Sequence, residues 1–265
     1  MSHPCFLQRS NRPLVLGHRG ASADYPENTL LAFQQAMAQG ADGVELDVMC
    51  CGSGEVVVVH DDDLGRVLGE PPGSGPLIRN TSLGDLRRYD LGSGQRVPLL
   101  AEALEALGPQ ALVNIELKPP DTPDLKTLTE HLKLLRDDGP AKATVEVLRR
   151  VRRPPGSTLV SSFDPLQLLR FARLCPELPL GLLFHRSLAL PLRQAWFAPL
   201  LPLAAVHPSA TLIDAVSMRA WRRRGYAVHT WTVDKPSEIA ALCALGVDAI
   251  ITNRPGATRS QLASS

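Results

Sequence analysis

The sequence lacks any hydrophobic run long enough to cross a membrane. Its longest apolar stretch, Trp196–Val206, is interrupted by Pro199 and Pro202, whereas a spanning helix needs about 20 consecutive apolar residues. Residues 1–14 also lack the apolar centre of a secretory signal. We therefore expect a soluble, cytoplasmic protein with no stable membrane insertion.

Cysteine is scarce and poorly arranged for structural cross-links. The five cysteines are odd in number, two of them are the adjacent Cys50 and Cys51, and no pair has the Cys-x-x-Cys spacing of a zinc site. Reduced thiols of this kind are typical of a cytoplasmic protein. We expect neither a disulfide framework nor a structural zinc ion.

The sequence also lacks an excess of charge of either sign. It has 28 Lys and Arg against 27 Asp and Glu, a net charge of +1, so no basic field marks nucleic acid as a partner. Neither a Gly-x-Gly-x-x-Gly turn nor a phosphate-binding loop that ends in Gly-Lys-Ser/Thr is present. These absences argue against nucleic acid as a partner and against nucleotide binding, and no feature of the sequence indicates an oligomeric state.

What the sequence does contain is a regular alternation of short β-rich runs and helical patterns. Strands are predicted at residues 14–17, 43–48, 55–60, 112–117, 158–162, 180–184, 204–206, 227–232 and 249–251. Helices are predicted near residues 28–39, 99–107, 124–151, 165–174, 188–197, 212–224 and 236–245. The short Cys-Cys-Gly-Ser-Gly link before residues 55–60 suits a tight hairpin-like excursion. If 56–60 is counted as an extension of the second strand, eight parallel strands result. We predict a (β/α)8 TIM-type barrel that forms a single catalytic domain over residues 1–265.

Residues 61–98 interrupt this alternation. They are rich in glycine and proline and show no sustained period. Long loops in compact domains are usually functional or disordered. We interpret this segment, called segment 61–98 below, as a loop insertion after the second strand region. We expect it to act as a mobile cover that shapes the alcohol side of a substrate, although a passive surface loop remains the alternative.

Acidic side chains gather at the predicted carboxyl ends of the strands, where barrel enzymes carry their reacting groups. Glu45 and Asp47 are two residues apart and point to one face of a strand. With Glu116 from the next parallel strand they form a three-carboxylate site, which suits a hard ion such as Mg²⁺ or Ca²⁺. The alternative is a buried ionic network in which Lys118 or Arg19 balances the acids.

Two histidines and two cations lie at the same predicted edge. His18 and His60 titrate near neutral pH, and together they suit an acid–base pair. Arg19 and Lys118 supply fixed positive charge for a phosphate. Trp231 is predicted either to pack its ring against an organic substituent of the substrate or to be a buried barrel aromatic.

Several motifs resemble those of glycerophosphodiester phosphodiesterases, and they occur in the order typical of that family. They are residues 18–21 (His-Arg-Gly-Ala), 26–29 (Pro-Glu-Asn-Thr), 43–48 (Gly-Val-Glu-Leu-Asp-Val), 58–61 (Val-Val-His-Asp), 114–118 (Asn-Ile-Glu-Leu-Lys), 161–163 (Ser-Ser-Phe), 231–234 (Trp-Thr-Val-Asp) and 246–255 (Gly-Val-Asp-Ala-Ile-Ile-Thr-Asn-Arg-Pro). The resemblance implies a barrel that hydrolyses glycerophosphodiesters, which are small-molecule substrates, to glycerol 3-phosphate and an alcohol. It also implies a divalent metal ion, Mg²⁺ or Ca²⁺ with Mn²⁺ as an alternative.

The resemblance assigns a role to each matching residue. Its metal ligands are Glu45, Asp47 and Glu116, its acid–base pair is His18 and His60, and its phosphate-side cations are Arg19 and Lys118. The nucleophile is either the glycerol 2-hydroxyl, by way of a cyclic phosphate, or water.

The sequence departs from the family pattern at a few positions. Asn253 stands where Asp is frequent, and the Thr pair that usually follows the arginine of segment 61–98 is missing after Arg66. Two other functions stay open. One is a lysophospholipase D that acts on lipid-sized diesters, with Leu64, Leu68 and Leu77 as contacts for an acyl chain. The other is a catalytically silent barrel that binds a phosphorylated ligand.

Overall fold

Parallel strands follow one another around a closed barrel in the computed structural model of the protein. The structure describes residues 5–7, 12–118, 139–188 and 198–264. The strands are β1 (Leu14–His18), β2 (Gly43–Cys50), β3 (Val56–Val58), β4 (Leu112–Leu117), β5 (Thr158–Ser162), β6 (Leu180–Phe184), β7 (Leu203–Pro208), β8 (Ala227–Thr230) and β9 (Ala249–Thr252). All except β3 pair in parallel, and β1 pairs with both β2 and β9, which closes the barrel. The prediction of a (β/α)8 barrel is confirmed.

Helices cover the outside of this barrel, apart from the short helix at Leu83–Leu86, which lies within segment 61–98. They are α1 (Leu30–Ala38), α2 (Leu83–Leu86), α3 (Leu100–Leu107), α4 (Gly139–Arg150), α5 (Pro165–Leu174), α6 (Ala215–Arg223), α7 (Pro236–Leu245) and α8 (Pro255–Ala263). The helix expected over 188–197, apart from its first residue, and the start of the one expected over 124–151 lie outside the described residues. None of the described helices combines the length and the apolar character that a membrane crossing requires.

The first helix begins later than the sequence pattern predicts. Asn28 has a positive φ of 55° and is not helical. Thr29 is the N-cap, because its hydroxyl accepts a hydrogen bond from the N–H of Ala32. The loop before α1 therefore turns sharply, and it leaves the side chain of Asn28 free to point toward the barrel.

Alternation along β2 explains why acidic residues face the barrel interior. Val44, Leu46 and Val48 belong to the large apolar cluster that includes outer helix residues. Side chains of a strand alternate between its two faces. Glu45 and Asp47 therefore lie on the opposite, inner face, and both are buried.

The segment that leads to His60 turns back along the second strand, as its short link predicts. β3 is antiparallel to β2, with Val48 opposite Val58, and the N–H of Val59 donates to the carbonyl of Asp47 at 3.0 Å. Parallel pairing of adjacent strands needs a long crossover, whereas a short turn permits only a hairpin. The hairpin-like excursion expected after the second strand is confirmed, and the returning strand brings His60 back to the level of Asp47.

Segment 61–98 has an apolar core of its own. Leu64, Ile78, Leu86 and Val97 are fully buried and pack against residues of the β2–β3 hairpin. Two short 3-10 helices and α2 lie within it. It is therefore a packed unit, and the burial of Leu64 removes that side chain as a contact for an acyl chain.

A buried carboxylate organises the glycine-rich half of this segment. Asp63 accepts hydrogen bonds from the backbone N–H groups of Gly65, Gly73 and Gly75, at 2.6, 2.9 and 3.3 Å. A side chain at Gly75 would meet the backbone of Gly65. Close approach of these two backbone stretches explains Gly65 and Gly75, which the sequence pattern had suggested were signs of mobility.

Candidate active site

Three buried carboxylates converge at one end of the barrel. Glu45 and Asp47 come from β2, and Glu116 on β4 lies opposite Asp47 in the strand register. One oxygen from each residue lies within 4.8 Å of the others. The structure thus brings together the three residues predicted as metal ligands.

Two cations contact these carboxylates. Lys118 Nζ lies 2.8 Å from Asp47 Oδ1 and 2.5 Å from Glu116 Oε1, and Arg19 Nε lies 3.3 Å from Asp47 Oδ2. Burial alone would raise the pKa of Asp47, but Lys118 and Arg19 outweigh it and hold that pKa well below its ordinary range. The ionic network considered in the sequence analysis therefore forms around Asp47.

The positive charges of Lys118 and Arg19 do not balance the negative charges of Glu116 and Glu45 as well. Burial raises the pKa of Glu116 to about 7, although Lys118 opposes the change. Burial, together with the charges of Asp47 and Glu116, raises the pKa of Glu45 well above its usual value. Glu45 Oε1 is buried and accepts no hydrogen bond from the described part of the chain. The site is thus short of positive charge, and its all-oxygen donor set fits a hard divalent cation.

His18 is held by a short relay of side chains. Its Nδ1 lies 2.7 Å from Asn253 Oδ1, and Asn253 Nδ2 donates to Asp234 Oδ2 at 2.6 Å. Because the NH₂ group of Asn253 donates to Asp234, the amide oxygen of Asn253 is the atom that accepts a hydrogen bond from His18. The proton of His18 is therefore on Nδ1, and Nε2 carries no proton. Burial and the charge of Arg19 lower the pKa of His18.

His60 is held by a carboxylate instead of an amide. Its Nδ1 lies 2.5 Å from Asp61 Oδ1. Burial lowers the pKa of His60, against the opposing charge of Asp47. Nδ1 therefore donates to Asp61, and Nε2 is again the nitrogen available to a substrate.

Both histidines line the same small cavity. Its volume is about 50 Å³, and its walls include Glu45, Glu116, Lys118 and Trp231. A wider neighbouring cavity of about 390 Å³ shares His18 and Arg19. No side chain of residues 62–98 lines either cavity, so an effect of segment 61–98 on the alcohol side stays a prediction.

Trp231 forms part of the cavity wall as a half-buried aromatic. Its indole N–H donates to the backbone carbonyl of His207 at 2.8 Å, and its ring meets Phe163 edge to face with 5.4 Å between centroids. These contacts fix the ring in place. The exposed part of the ring faces the cavity, which is compatible with contact to a substrate substituent.

Other polar residues that support the site were not predicted as site residues. Asn28 Nδ2 donates to Asp47 Oδ2 at 2.9 Å, and Glu27 accepts from Arg19 at 2.9 Å. Asp234 and Asn253 position His18 as described above. The signal that could have identified them was their presence in the motifs at residues 26–29, 231–234 and 246–255, but pattern alone did not indicate their partners.

Comparison with known proteins agrees with this geometry. The model of the glycerophosphoryl diester phosphodiesterase family matches residues 18–257. A glycerophosphodiester phosphodiesterase from Caldanaerobacter subterraneus subsp. tengcongensis is 30% identical over 92% of this chain and 95% of its own.

Two solved structures share the fold over almost the whole chain. A phosphodiesterase from Oleispira antarctica, solved in complex with the product sn-glycerol 3-phosphate, has a TM-score of 0.80 and 30% identity, covering 95% of this chain and 97% of its own. A glycerophosphodiester phosphodiesterase from Thermotoga maritima has a TM-score of 0.72 and 27% identity, covering 94% and 97%. The chain therefore belongs to the glycerophosphoryl diester phosphodiesterase family.

Proposed function

We propose that this protein is a metal-dependent glycerophosphodiester phosphodiesterase that releases sn-glycerol 3-phosphate and an alcohol. Membership of the family supports the activity, and the product bound to the Oleispira antarctica relative supports the identity of the phosphorylated product. The observation that carries the proposal is the cluster of Glu45, Asp47 and Glu116 beside two histidines with oriented rings. We further propose that residues 1–265 form a single catalytic domain that carries segment 61–98.

Glu45, Asp47 and Glu116 are the residues that would hold the metal ion. Mg²⁺ and Ca²⁺ suit the oxygen ligands best, and Mn²⁺ is an alternative. When bound, such an ion polarises a phosphoryl oxygen and offsets the negative charge that develops on the phosphate. The buried Oε1 of Glu45 supports this assignment because it accepts no hydrogen bond from the described residues.

Arg19 and Lys118 would contact the phosphate from the same side. Both have their charged groups within 3.3 Å of Asp47, and both line the cavity that the histidines share. Fixed cations in a site of low water content stabilise extra negative charge strongly. We propose that they bind the phosphate in the ground state and hold it as its charge increases.

His18 and His60 would transfer the protons at their Nε2 atoms. The carboxylate of Asp61 behind His60 stabilises an imidazolium, whereas the neutral amide of Asn253 behind His18 does not. We propose that His60 holds the proton that is given to the leaving alcohol, and that His18 accepts the proton of the nucleophile. The nucleophile is the glycerol 2-hydroxyl or water.

The test is product identity on a panel of diesters with Mg²⁺, Ca²⁺ or Mn²⁺ added. The panel contains glycerophosphocholine, glycerophosphoethanolamine, lysophosphatidylcholine and a nitrophenyl phosphodiester. Release of sn-glycerol 3-phosphate from the first two supports the proposal. Preference for the lysolipid would favour a lysophospholipase D instead, and binding without hydrolysis of any member would favour a silent barrel.

A further inference from the structure

We propose that Arg66, in segment 61–98, is a positioning residue that fixes His60 and Arg19 relative to each other through Asp61 and Glu27. The inference deepens the proposed function and rests on it. It gives segment 61–98 a role in the reaction that does not require it to cover the cavity.

Arg66 uses its whole guanidinium group on two carboxylates. Its Nη1 and Nη2 donate to the two oxygens of Glu27 at 2.9 and 2.7 Å, and its Nε donates to Asp61 Oδ2 at 2.6 Å. A paired, two-bond contact of this kind fixes direction as well as distance. Because one planar group makes both contacts, the positions of Glu27 and Asp61 are linked.

Each of these carboxylates holds a residue of the reaction. Asp61 accepts a hydrogen bond from His60 Nδ1 on its other oxygen, Oδ1, at 2.5 Å. Glu27 accepts from Arg19 Nη1 at 2.9 Å, and Arg19 Nε in turn lies 3.3 Å from Asp47. A chain of alternating charge therefore runs from His60 to Arg19, with Arg66 at its centre.

The chain joins backbone segments that no strand pairing connects at that point. Glu27 and Arg19 lie in the loop after β1, whereas Asp61 and His60 follow the returning strand β3. Arg66 and Glu27 are 39 residues apart in sequence. Without Arg66, the two loops would keep their own contacts but would lose this link between them.

The packed core of segment 61–98 explains why Arg66 can act as a fixed point. Leu64, two residues earlier, is fully buried. Arg66 opens the 3-10 helix Arg66–Leu68, and Gly69, which caps this helix, has a positive φ of 77°. The backbone is thus held on both sides, and only the side chain reaches outward to the carboxylates.

Because Arg66 is partly exposed, its effect on the reaction can be measured separately from its contribution to the stability of the fold. Its side chain is 42% exposed, and ion pairs at such sites usually add little to stability. We therefore expect the loss of Arg66 to harm the reaction far more than it harms folding. A lysine in its place would keep the charge, but its single ammonium group cannot form the paired contact with Glu27 while also reaching Asp61.

The kinetic test compares Arg66→Ala and Arg66→Lys with Arg88→Ala. Arg88 is a matched control, since it lies in the same segment, is 81% exposed and pairs only with the nearby Asp85 among the described residues. Loss of an outer partner of a metal ligand typically costs about 10–100-fold, and by analogy we expect a fall in kcat of that size for both Arg66 variants and none for the control. Added guanidinium ion should partly restore Arg66→Ala and leave the parent unchanged. Arg66 variants within about two-fold of the parent would overturn the proposal, as would full activity of Arg66→Lys.

A second measurement does not depend on activity. The Nδ1 proton of His60, assigned by its loss in His60→Ala, should give a protected NMR signal in the parent that broadens or shifts in Arg66→Ala but not in Arg88→Ala. An unchanged signal would overturn the proposal even if the rates fall. If the parent hydrolyses none of the diesters, the proposed function fails while this signal still tests the contact. If Arg66→Ala does not fold, the same comparison is made on Arg66→Lys.

Discussion

The metal-free protein should lose stability as the pH rises, because Glu116 is held in a protonated state that the unfolded chain does not share. Burial raises the pKa of Glu116 from an ordinary 4.5 to about 7. Below pH 4.5 the carboxyl is protonated in both states and contributes no difference. Between 4.5 and about 7 only the unfolded chain loses the proton, so the free energy of unfolding falls.

The size of this effect follows from the same pKa. Each pH unit between the two pKa values corresponds to about 1.4 kcal/mol, which gives a loss of about 3 kcal/mol once the pH exceeds 7. Glu116→Gln removes the charge and leaves Asp47 and Glu45 facing Lys118 and Arg19. We therefore expect the variant to be more stable than the metal-free parent at pH 8 and no more stable at pH 5.

The assay is chemical denaturation of chelator-treated protein at pH 5, 6, 7 and 8, with Glu105→Gln as an exposed control on α3. Added Mg²⁺, Ca²⁺ or Mn²⁺ should reverse the trend for the parent, because metal ligands must be deprotonated and the stabilisation by binding grows with pH. A metal-free parent with equal stability at pH 5 and pH 8 would refute the reasoning, as would a Glu116→Gln variant with the slope of the parent.

Three further changes test other parts of the site. His60→Ala should lower kcat by about 10²–10⁴-fold, and a rate within a few-fold of the parent on a substrate with a poor leaving group would contradict this. The profile of kcat/KM against pH in the parent should be bell-shaped, with an acid limb below 6.5, because burial lowers the pKa of both His18 and His60. Asn253→Asp places a carboxylate against His18 Nδ1, which should raise the pKa of His18 and move the acid limb upward by roughly one pH unit. An unmoved acid limb would show that residue 253 does not control the protonation of His18. Asp63→Ala leaves buried N–H groups of segment 61–98 without an acceptor, so thermal denaturation should show a loss of about 1–3 kcal/mol in the free energy of unfolding. If the ratio of the rates on glycerophosphocholine and the nitrophenyl diester is the same in this variant as in the parent, the segment does not select the alcohol.

The site carboxylates were predictable because they depend on local rules. Strand alternation alone places Glu45 and Asp47 on one face, and the carboxyl ends of parallel strands meet at one edge. The bounds of β5 and β6 matched the sequence pattern for the same reason, since each is a short apolar run between helical patterns.

The antiparallel return of β3 was predictable too, because the short link before it permits only a hairpin. The partners of individual side chains were not predictable in the same way. The contacts of Arg66 depend on a loop 39 residues away, and glycine content could not distinguish a mobile loop from one packed tightly around Asp63. In both cases the decisive interaction is long-range and leaves no period in the sequence.

The most direct test of the account is the release of sn-glycerol 3-phosphate from glycerophosphocholine by chelator-treated protein, before and after a divalent ion is added back, with metal content measured by elemental analysis. The account predicts no hydrolysis without metal, recovery of activity as a single ion binds per chain, and no recovery in Glu45→Gln at the same ion concentration. Full hydrolysis by protein that contains no bound metal would contradict it.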